Sequence, residues 1–370
     1  MTVFLTNLFL RNCNNDTVHD IIVVGAGPSG CFAAMKCAQQ GLDVLLIDAE
    51  KFPRDKACGG VVGEKAIELI GKDVLTVVER ESKIIEFFYD WKYIGHLDSH
   101  EYFFKRLKFD HFLVRKAVDS GAILKERTRA LGLTVSSSNA TVHTTAGDLQ
   151  GKLVIGADGT NSVIGRSLNL CHHDDVCRYA SLKAEIDVTQ EKAKELGVED
   201  PPRQATYFFS DLIGFAWVIP NNGSVNAGYG STVSKAKGLK ERFHKFLGQL
   251  DLKPQCERGA QIPFLTVDRV YSERVLLTGD AAGFVNPWTG SGIDDGIIAS
   301  NKAVAVCKEA IDLNDYSIDV LCKYQVLCRN QMRKINWRGH WIKALDSIVP
   351  EKYEFPFWVK FLVRKLATLA

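Results

Sequence analysis

Gly25-Ala26-Gly27-Pro28-Ser29-Gly30 follows directly on the apolar run Ile21-Ile22-Val23-Val24 and opens a stretch of helical periodicity that lasts to Gly41. Strand, glycine turn and helix in that order form an anion-binding unit. Gly25 permits the tight turn, Gly27 lets a pyrophosphate approach the backbone, and Gly30 lets the helix pack closely on the strand. The helix start adds about half a positive charge. Gly25, Gly27, Pro28, Ser29 and Gly30 are therefore the first candidate binding residues. A second apolar strand, Val44 to Ile47, ends at Asp48, followed by Ala49. An acid at this place accepts hydrogen bonds from an adenosine ribose. The unit fits NAD and FAD equally.

The rest of the chain sets bounds on this reading. Its 370 residues suggest two lobes, and 46% hydrophobic with 24% charged residues is a globular composition. Lys plus Arg number 46 against 44 Asp plus Glu, a balance without the basic footprint of a nucleic-acid binder. Ten cysteines without a repeating spacing read as reduced thiols, so the cytoplasm is the expected compartment. Residues 1–18 read as an N-terminal extension without the marks of a signal peptide. No stretch reaches the roughly 18 apolar residues that span a bilayer.

Short apolar runs at Leu153 to Ile155 and Val275 to Leu277 are buried strands that feed the loops Gly-Ala-Asp and Thr-Gly-Asp, and helical periodicity covers Phe109 to Ser120. Between Tyr179 and Tyr229 lie β-rich runs separated by Pro, Asn and Gly, which fit a second, antiparallel sheet. After Gly292 the pattern is helical to Ile311 and again from Tyr316. The expected domains are a discontinuous dinucleotide domain over 19–80, 101–175 and 268–312, a substrate lobe over 81–100 and 176–267, and a helical segment over 313–370.

Two distant segments favour FAD over NAD. They are Val154-Ile155-Gly156-Ala157-Asp158-Gly159-Thr160-Asn161-Ser162, and the run Leu277-Thr278-Gly279-Asp280-Ala281-Ala282-Gly283 that continues to Gly290-Ser291-Gly292-Ile293. With the first turn, they resemble the flavoprotein superfamily of geranylgeranyl reductases, aromatic hydroxylases, flavin-dependent halogenases and lycopene cyclases. The resemblance implies an α/β, Rossmann-like FAD domain of the glutathione-reductase and p-hydroxybenzoate-hydroxylase type, with an antiparallel-sheet substrate lobe and a C-terminal helical segment. It implies that Asp280, beside Gly279, bonds the ribityl chain and that Gly290 to Ile293, including Gly292, bring a helix start to the flavin pyrimidine edge. A helix N-terminus there would stabilise the negative charge of reduced flavin. Asp158 and Gly159 would contribute to the dinucleotide site.

Within the superfamily, Lys51-Phe52-Pro53-Arg54-Asp55-Lys56-Ala57-Cys58-Gly59-Gly60 looks like the geranylgeranyl reductase branch, where a Cys-Gly-Gly loop faces the isoalloxazine. Arg54, Cys58, Gly59 and Gly60 are carried over as cofactor residues on that basis, and Arg106 from Arg106-Leu107-Lys108-Phe109-Asp110 as a residue that reaches the cofactor. Gly214-Phe215-Ala216-Trp217-Val218-Ile219-Pro220 and Asn226-Ala227-Gly228-Tyr229-Gly230 are similar to the reductase's aromatic-x-Trp-x-aliphatic-Pro strand and its Asn-x-Gly return strand, but halogenases share a run like the first, so Cys58-Gly59-Gly60 decides the branch. Phe215 stands where the family more often has Tyr. Cys58, Trp217 and Phe215 are the candidate catalytic residues; Cys58 would position the substrate or donate a proton, while the two aromatics could equally line a buried sheet face.

The resemblance implies reduction of a carbon–carbon double bond in an isoprenoid or other apolar small molecule by hydride from flavin N5, with electrons from NAD(P)H or a reduced protein carrier. The alternatives are an FAD monooxygenase of hydroxylase or halogenase type and a flavin-free carrier of prenyl ligands. No metal is expected, because Cys171-His172-His173-Asp174-Asp175-Val176-Cys177 crowds its ligands into one loop. Cys31, Cys37 and Cys307 read as buried structural thiols. From Gln331 onward basic residues outnumber acidic ones by eight to three, among Trp337, Trp341, Phe355, Phe357, Trp358 and Phe361. That composition suits a helical cap on the sheet lobe, the first expectation, or a peripheral membrane contact.

Overall fold

The computed structural model describes residues 17–170, 177–209 and 214–348. Most of the N-terminal extension, the run from Cys171 to Val176, and the aromatic and basic residues beyond 348 lie outside the described residues. No helix among those described is long and apolar enough to cross a membrane.

Two sheets organise the chain. The first has the order Tyr271–Ser272, Val275–Leu277, Gly147–Gly156, Val18–Val24, Val44–Ile47, Ile123–Lys125, with the hairpin Ala130–Val135 and Ala140–Thr144 joined to the start of Gly147–Gly156. Strands Val275–Leu277, Gly147–Gly156, Val18–Val24, Val44–Ile47 and Ile123–Lys125 run parallel. Ile21, Ile22, Val23, Leu45, Leu46, Val154 and Ile155 are wholly buried, as an unalternating apolar strand must be when both faces of a parallel sheet are covered. Helix Pro28–Gln39 packs beside helices Arg106–Asp119 and Ile293–Leu313.

The second sheet has the order Glu257–Pro263, Arg178–Asp187, Ser224–Thr232, Gly214–Asn221, Gln204–Phe208, Arg80–Tyr89, Lys92–Phe103, Val61–Gly63. It is antiparallel as expected except at one junction: Gln204–Phe208 runs parallel to Arg80–Tyr89. These two strands come from sequence segments more than a hundred residues apart, so no hairpin fixes their direction. The sheet also takes Val61–Gly63 from the stretch assigned to the dinucleotide domain, pairing it with Phe103 to Glu101. One face buries Ala184, Ile186, Val218, Val225 and Tyr229 against Phe243, Phe246 and Leu247 of helix Leu239–Gln249. The other face carries Phe215, Trp217 and Ile219, which pack with Val61 and Phe103.

Helix Ile318–Ile348 ties the two halves together. Leu321, Tyr324, Cys328, Met332 and Ile335 join the core of the first sheet. Further along, Ile342 packs by Phe264, and Asp346 accepts a hydrogen bond from Thr232 Oγ1 at 2.7 Å on the second sheet. The helical cap therefore lies on both sheets rather than on the substrate lobe alone.

Candidate active site

The glycine turn is built as its spacing requires. Gly25 has φ +100°, and any side chain there would run into the Ala157 carbonyl on the neighbouring strand's exit loop. Gly27 caps helix Pro28–Gln39 without a side-chain bond, with Pro28 at the first helical position. A methyl placed on Gly27 would meet nothing within 4 Å, so the free N–H groups of this helix start face open space. Asp48 is fastened to the same turn: its Oδ2 accepts from Ala26 N at 2.7 Å and its Oδ1 from Glu50 N at 2.8 Å. Each oxygen retains a lone pair for a hydroxyl, and Ala49 sits half-buried beside them. Cys31 is buried behind the turn with its thiol pointed at the Ala26 carbonyl, and Cys37 and Cys307 are buried as well.

The Thr-Gly-Asp segment converges on this turn. A methyl on Gly279 would lie 2.7 Å from Ser29 Oγ, and one on Gly296 would strike the same oxygen, so residue 279, Ser29 and the first turn of helix Ile293–Leu313 are in contact. Asp280 lies beside Gly292, whose added methyl would be 3.1 Å from Asp280 Oδ1, and Lys56 Nζ is 3.9 Å from Asp280 Oδ2. Gly292 caps the helix without a side-chain bond, and helix pairing begins with Gly296 N–H to the Gly292 carbonyl at 2.9 Å, so the N–H groups of the first turn precede it. An anion-ready helix start, an acid fixed on it, and a second uncapped helix start beside another acid together fit a group with a pyrophosphate, a ribose and a polar ring edge.

Asp158 and Arg106 are more committed than the resemblance implies. Asp158 Oδ1 accepts from Ser162 Oγ at 2.6 Å, and its Oδ2 accepts from Val163 N and Ile164 N at 2.7 and 3.1 Å. The acid thus shapes its own loop, which leaves Gly159, at φ +83°, facing open space. Arg106 is buried and gives a two-pronged bond to Asp110 at 2.6 and 2.7 Å, while Arg54 Nη1 reaches the same carboxylate at 2.8 Å. Burial works against the Arg106 charge, but the Asp110 carboxylate more than restores it.

The Cys58 loop spans the gap between the sheets. Asn226 Nδ2 donates to the Cys58 carbonyl at 3.1 Å, and Asn226 Oδ1 accepts from Trp217 Nε1 at 2.9 Å. Gly60 N–H donates to the Cys58 sulfur at 3.4 Å, and a side chain on Gly60 would collide with the Phe104 carbonyl. Gly59 lies against Ile219 and Trp217, the Trp217 indole covers Gly228, and Phe215 reaches Gly290, where an added methyl would be 3.4 Å from Cζ. Phe87, Phe208, Phe215 and Trp217 continue as a row of rings with centroids 6.2, 6.5 and 5.8 Å apart. Glu185, which accepts from Asn221, Ser224 and Asn226, holds the back of this face. Nothing in the sequence marks Glu185 for this face, and Asn226 stands out only as the first residue of its Asn-Ala-Gly strand.

The fold and the converging turns define a dinucleotide-dependent flavoprotein. The chain belongs to the family described as FAD binding domain, whose pattern matches residues 18–304, and it is an FAD-dependent oxidoreductase of the geranylgeranyl-reductase-like kind. It is 31% identical over 337 residues to digeranylgeranylglycerophospholipid reductase 1 of Methanopyrus kandleri, covering 83% of this chain and 84% of that one. A crystal structure of a geranylgeranyl bacteriochlorophyll reductase-like protein from Thermoplasma acidophilum superposes with TM-score 0.79 at 25% identity, over 90% of this chain and 89% of that one. A crystal structure of a mutant of the halogenase PltM in complex with FAD matches at TM-score 0.73 and 15% identity, over 88% and 76% of the two chains, a likeness of fold alone.

Proposed function

We propose that this enzyme saturates carbon–carbon double bonds in the isoprenoid chains of a lipid. The observation that carries the reading is the anchoring of the Cys58-Gly59-Gly60 loop by Asn226 against Trp217, directly between the FAD domain and the aromatic face of the second sheet. The relatives named as lipid reductases supply the substrate class.

In this reading Gly25, Gly27, Pro28, Ser29 and Gly30 hold the FAD pyrophosphate. Asp48 and Ala49 hold the adenosine end, Gly279 and Asp280 the ribityl chain, and Gly290, Gly292 and Ile293 the ring edge. Bound and reduced, FAD supplies a hydride from N5. The row Phe87, Phe208, Phe215 and Trp217 gives an apolar chain a surface to lie on, excludes water, and orients one double bond at a time. Cys58 would press on the alkene or hand it a proton, and Arg54 and Arg106, clamped on Asp110, stiffen the loop from behind. Gly159 lines the dinucleotide groove, with Asp158 setting its loop. The electrons come from NAD(P)H or a reduced protein carrier.

Reaching such a lipid calls for contact with a membrane surface. Trp337 and Trp341 are about half exposed, at 53% and 49%, on the outer face of helix Ile318–Ile348, and Arg338 lies over Trp288 at 5.0 Å. Aromatic rings beside cations suit an anionic interface.

The test is anaerobic photoreduction of the purified yellow protein followed by addition of a prenyl phospholipid, a prenyl diphosphate or a quinone. Reoxidation by the prenyl phospholipid with saturation of its chain supports the proposal. Reoxidation only by air, with hydroxylation of a small aromatic, assigns the protein to the monooxygenases.

A further inference from the structure

Glu101 and Asp294, far apart in sequence, meet at one glycine. Glu101 stands opposite Gly63 in the pairing of strands Lys92–Phe103 and Val61–Gly63, and Asp294 is the second residue of helix Ile293–Leu313. Gly63 N–H donates to Asp294 Oδ1 at 2.9 Å. A methyl on Gly63 would sit 3.2 Å from that oxygen and 3.7 Å from Glu101 Oε2, so both carboxylates crowd a space that no side chain fills. Ser99 Oγ donates to Glu101 Oε1 at 2.7 Å, and Ser291 Oγ donates to Asp294 Oδ2 at 3.1 Å.

The surroundings favour a single proton on this pair. Glu101 feels Asp294, Glu64 of the helix that follows Gly63, and His100, which bridges Glu64 and Glu81 at 2.8 and 3.3 Å; Asp294 feels Asp295. Burial first, and the Asp294 charge after it, push Glu101 up to about 7, and burial raises Asp294 as well. Asp294 accepts two hydrogen bonds, which favour its ionised form, so the proton rests on Glu101.

Ser291 belongs to the Gly290–Gly292 turn. We infer that Glu101 and Asp294 hold one proton between them and exchange it, through the Ser291 hydroxyl, with whatever lies against that turn, making the pair the proton store of the cofactor edge. The inference rests on the proposed placement of FAD there. In the transfer the Glu101 O–H bond breaks as an Asp294 O–H forms. Asp294 then returns its proton to Ser291 Oγ while the Ser291 hydrogen passes to an acceptor at the turn. The electrons would come as hydride from NAD(P)H or singly from a protein carrier, and would leave to the alkene as hydride. When electrons arrive without hydrogen, as from a protein carrier, the pair would supply one proton for each two electrons taken up, and solvent reloads Glu101.

Infrared titration of the flavin-free and flavin-loaded full chain tests the pair. The wild type should show a protonated-carboxyl band that disappears with a midpoint of about 7, absent in Glu101→Gln and shifted towards the ordinary 4.5 in Asp294→Asn, which keeps the Gly63 bond. The rate of flavin reduction should bend at the same pH, and Ser291→Ala should lose that bend while keeping the carboxyl band. An unchanged band in Glu101→Gln, or no band that titrates above about pH 6, overturns the pair. Rate–pH curves for Ser291→Ala and the wild type that superimpose overturn the relay. A chain that shows the carboxyl band but takes up no flavin overturns the proposed function and the cofactor coupling, with the pair still established.

Discussion

Asn226 reaches from the second sheet to the Cys58 carbonyl at 3.1 Å and so fixes the height of the cysteine loop over the cofactor domain. Its one amide serves three partners, because Oδ1 also takes the Trp217 indole N–H at 2.9 Å and Nδ2 lies 3.3 Å from Glu185 Oε2.

Asn226→Ala strands the Trp217 N–H and the Cys58 carbonyl in a buried setting, at a cost of about 1–3 kcal/mol for each group left unpaired. The variant should remain yellow, since the phosphate turn is untouched, yet its reduced form should be reoxidised by prenyl lipid more slowly. Asn226→Asp should be at least as damaging, because it sets a carboxylate against Glu185 and removes the donor to Cys58. Urea denaturation and anaerobic reoxidation rates check both statements.

Asp110 is wholly buried and takes both Arg106 and Arg54. Removing one partner from such a cluster leaves uncompensated charge in the interior, so Asp110→Ala should lose about 3–5 kcal/mol. Asp110→Asn retains an acceptor and should lose less. Equilibrium denaturation of the two variants at one pH distinguishes them, and equal stability of the alanine variant and wild type would contradict the arrangement.

The parts legible in the sequence are those where local backbone geometry restricts the residue. Gly25 and Gly60 occupy left-handed conformations against neighbouring carbonyls, so the chain has little choice there and the motif stands out. Asp48 was legible because a strand end fixes its distance from the turn. Glu101 was not, since it sits in a polar strand like any solvated residue and acquires meaning only when Asp294 folds against it. Asp294 itself follows a recognised helix start, where an acid is ordinarily read as a partner of the helix dipole. The parallel junction between Gln204–Phe208 and Arg80–Tyr89 was hidden for the same reason, because strand partners distant in sequence leave no local signature.

Glu101 also predicts a pH dependence of stability. Between its ordinary value of 4.5 and its folded value of about 7, the folded chain holds a proton that the unfolded chain has released. The stabilising contribution is complete below the lower value, declines as pH rises through the window, and is gone above the upper one. Glu101→Gln removes this dependence. Melting temperatures taken from about pH 5 to about pH 8 should fall more steeply for the wild type than for the variant. Parallel curves would place Glu101 among ordinary surface carboxyls.

The exposed rings of Trp337 and Trp341 form an edge-on pair with centroids 6.3 Å apart, and Trp337 meets Trp288 at 5.7 Å on the segment that leads to Gly290. A membrane-facing surface at this place would deliver lipid next to the cofactor turn. Replacing both exposed tryptophans with serine should leave folding nearly unchanged, because the buried side of the helix rests on Tyr324, Cys328 and Ile335. Binding to vesicles that contain anionic lipid should weaken by about tenfold or more, as expected when two partly buried aromatic side chains no longer enter the interface. Raised salt should weaken the wild type through its cations and affect the variant from an already low level. Co-sedimentation with anionic and with neutral vesicles reads both effects, and equal binding by wild type and variant would remove this face from the route by which substrate arrives.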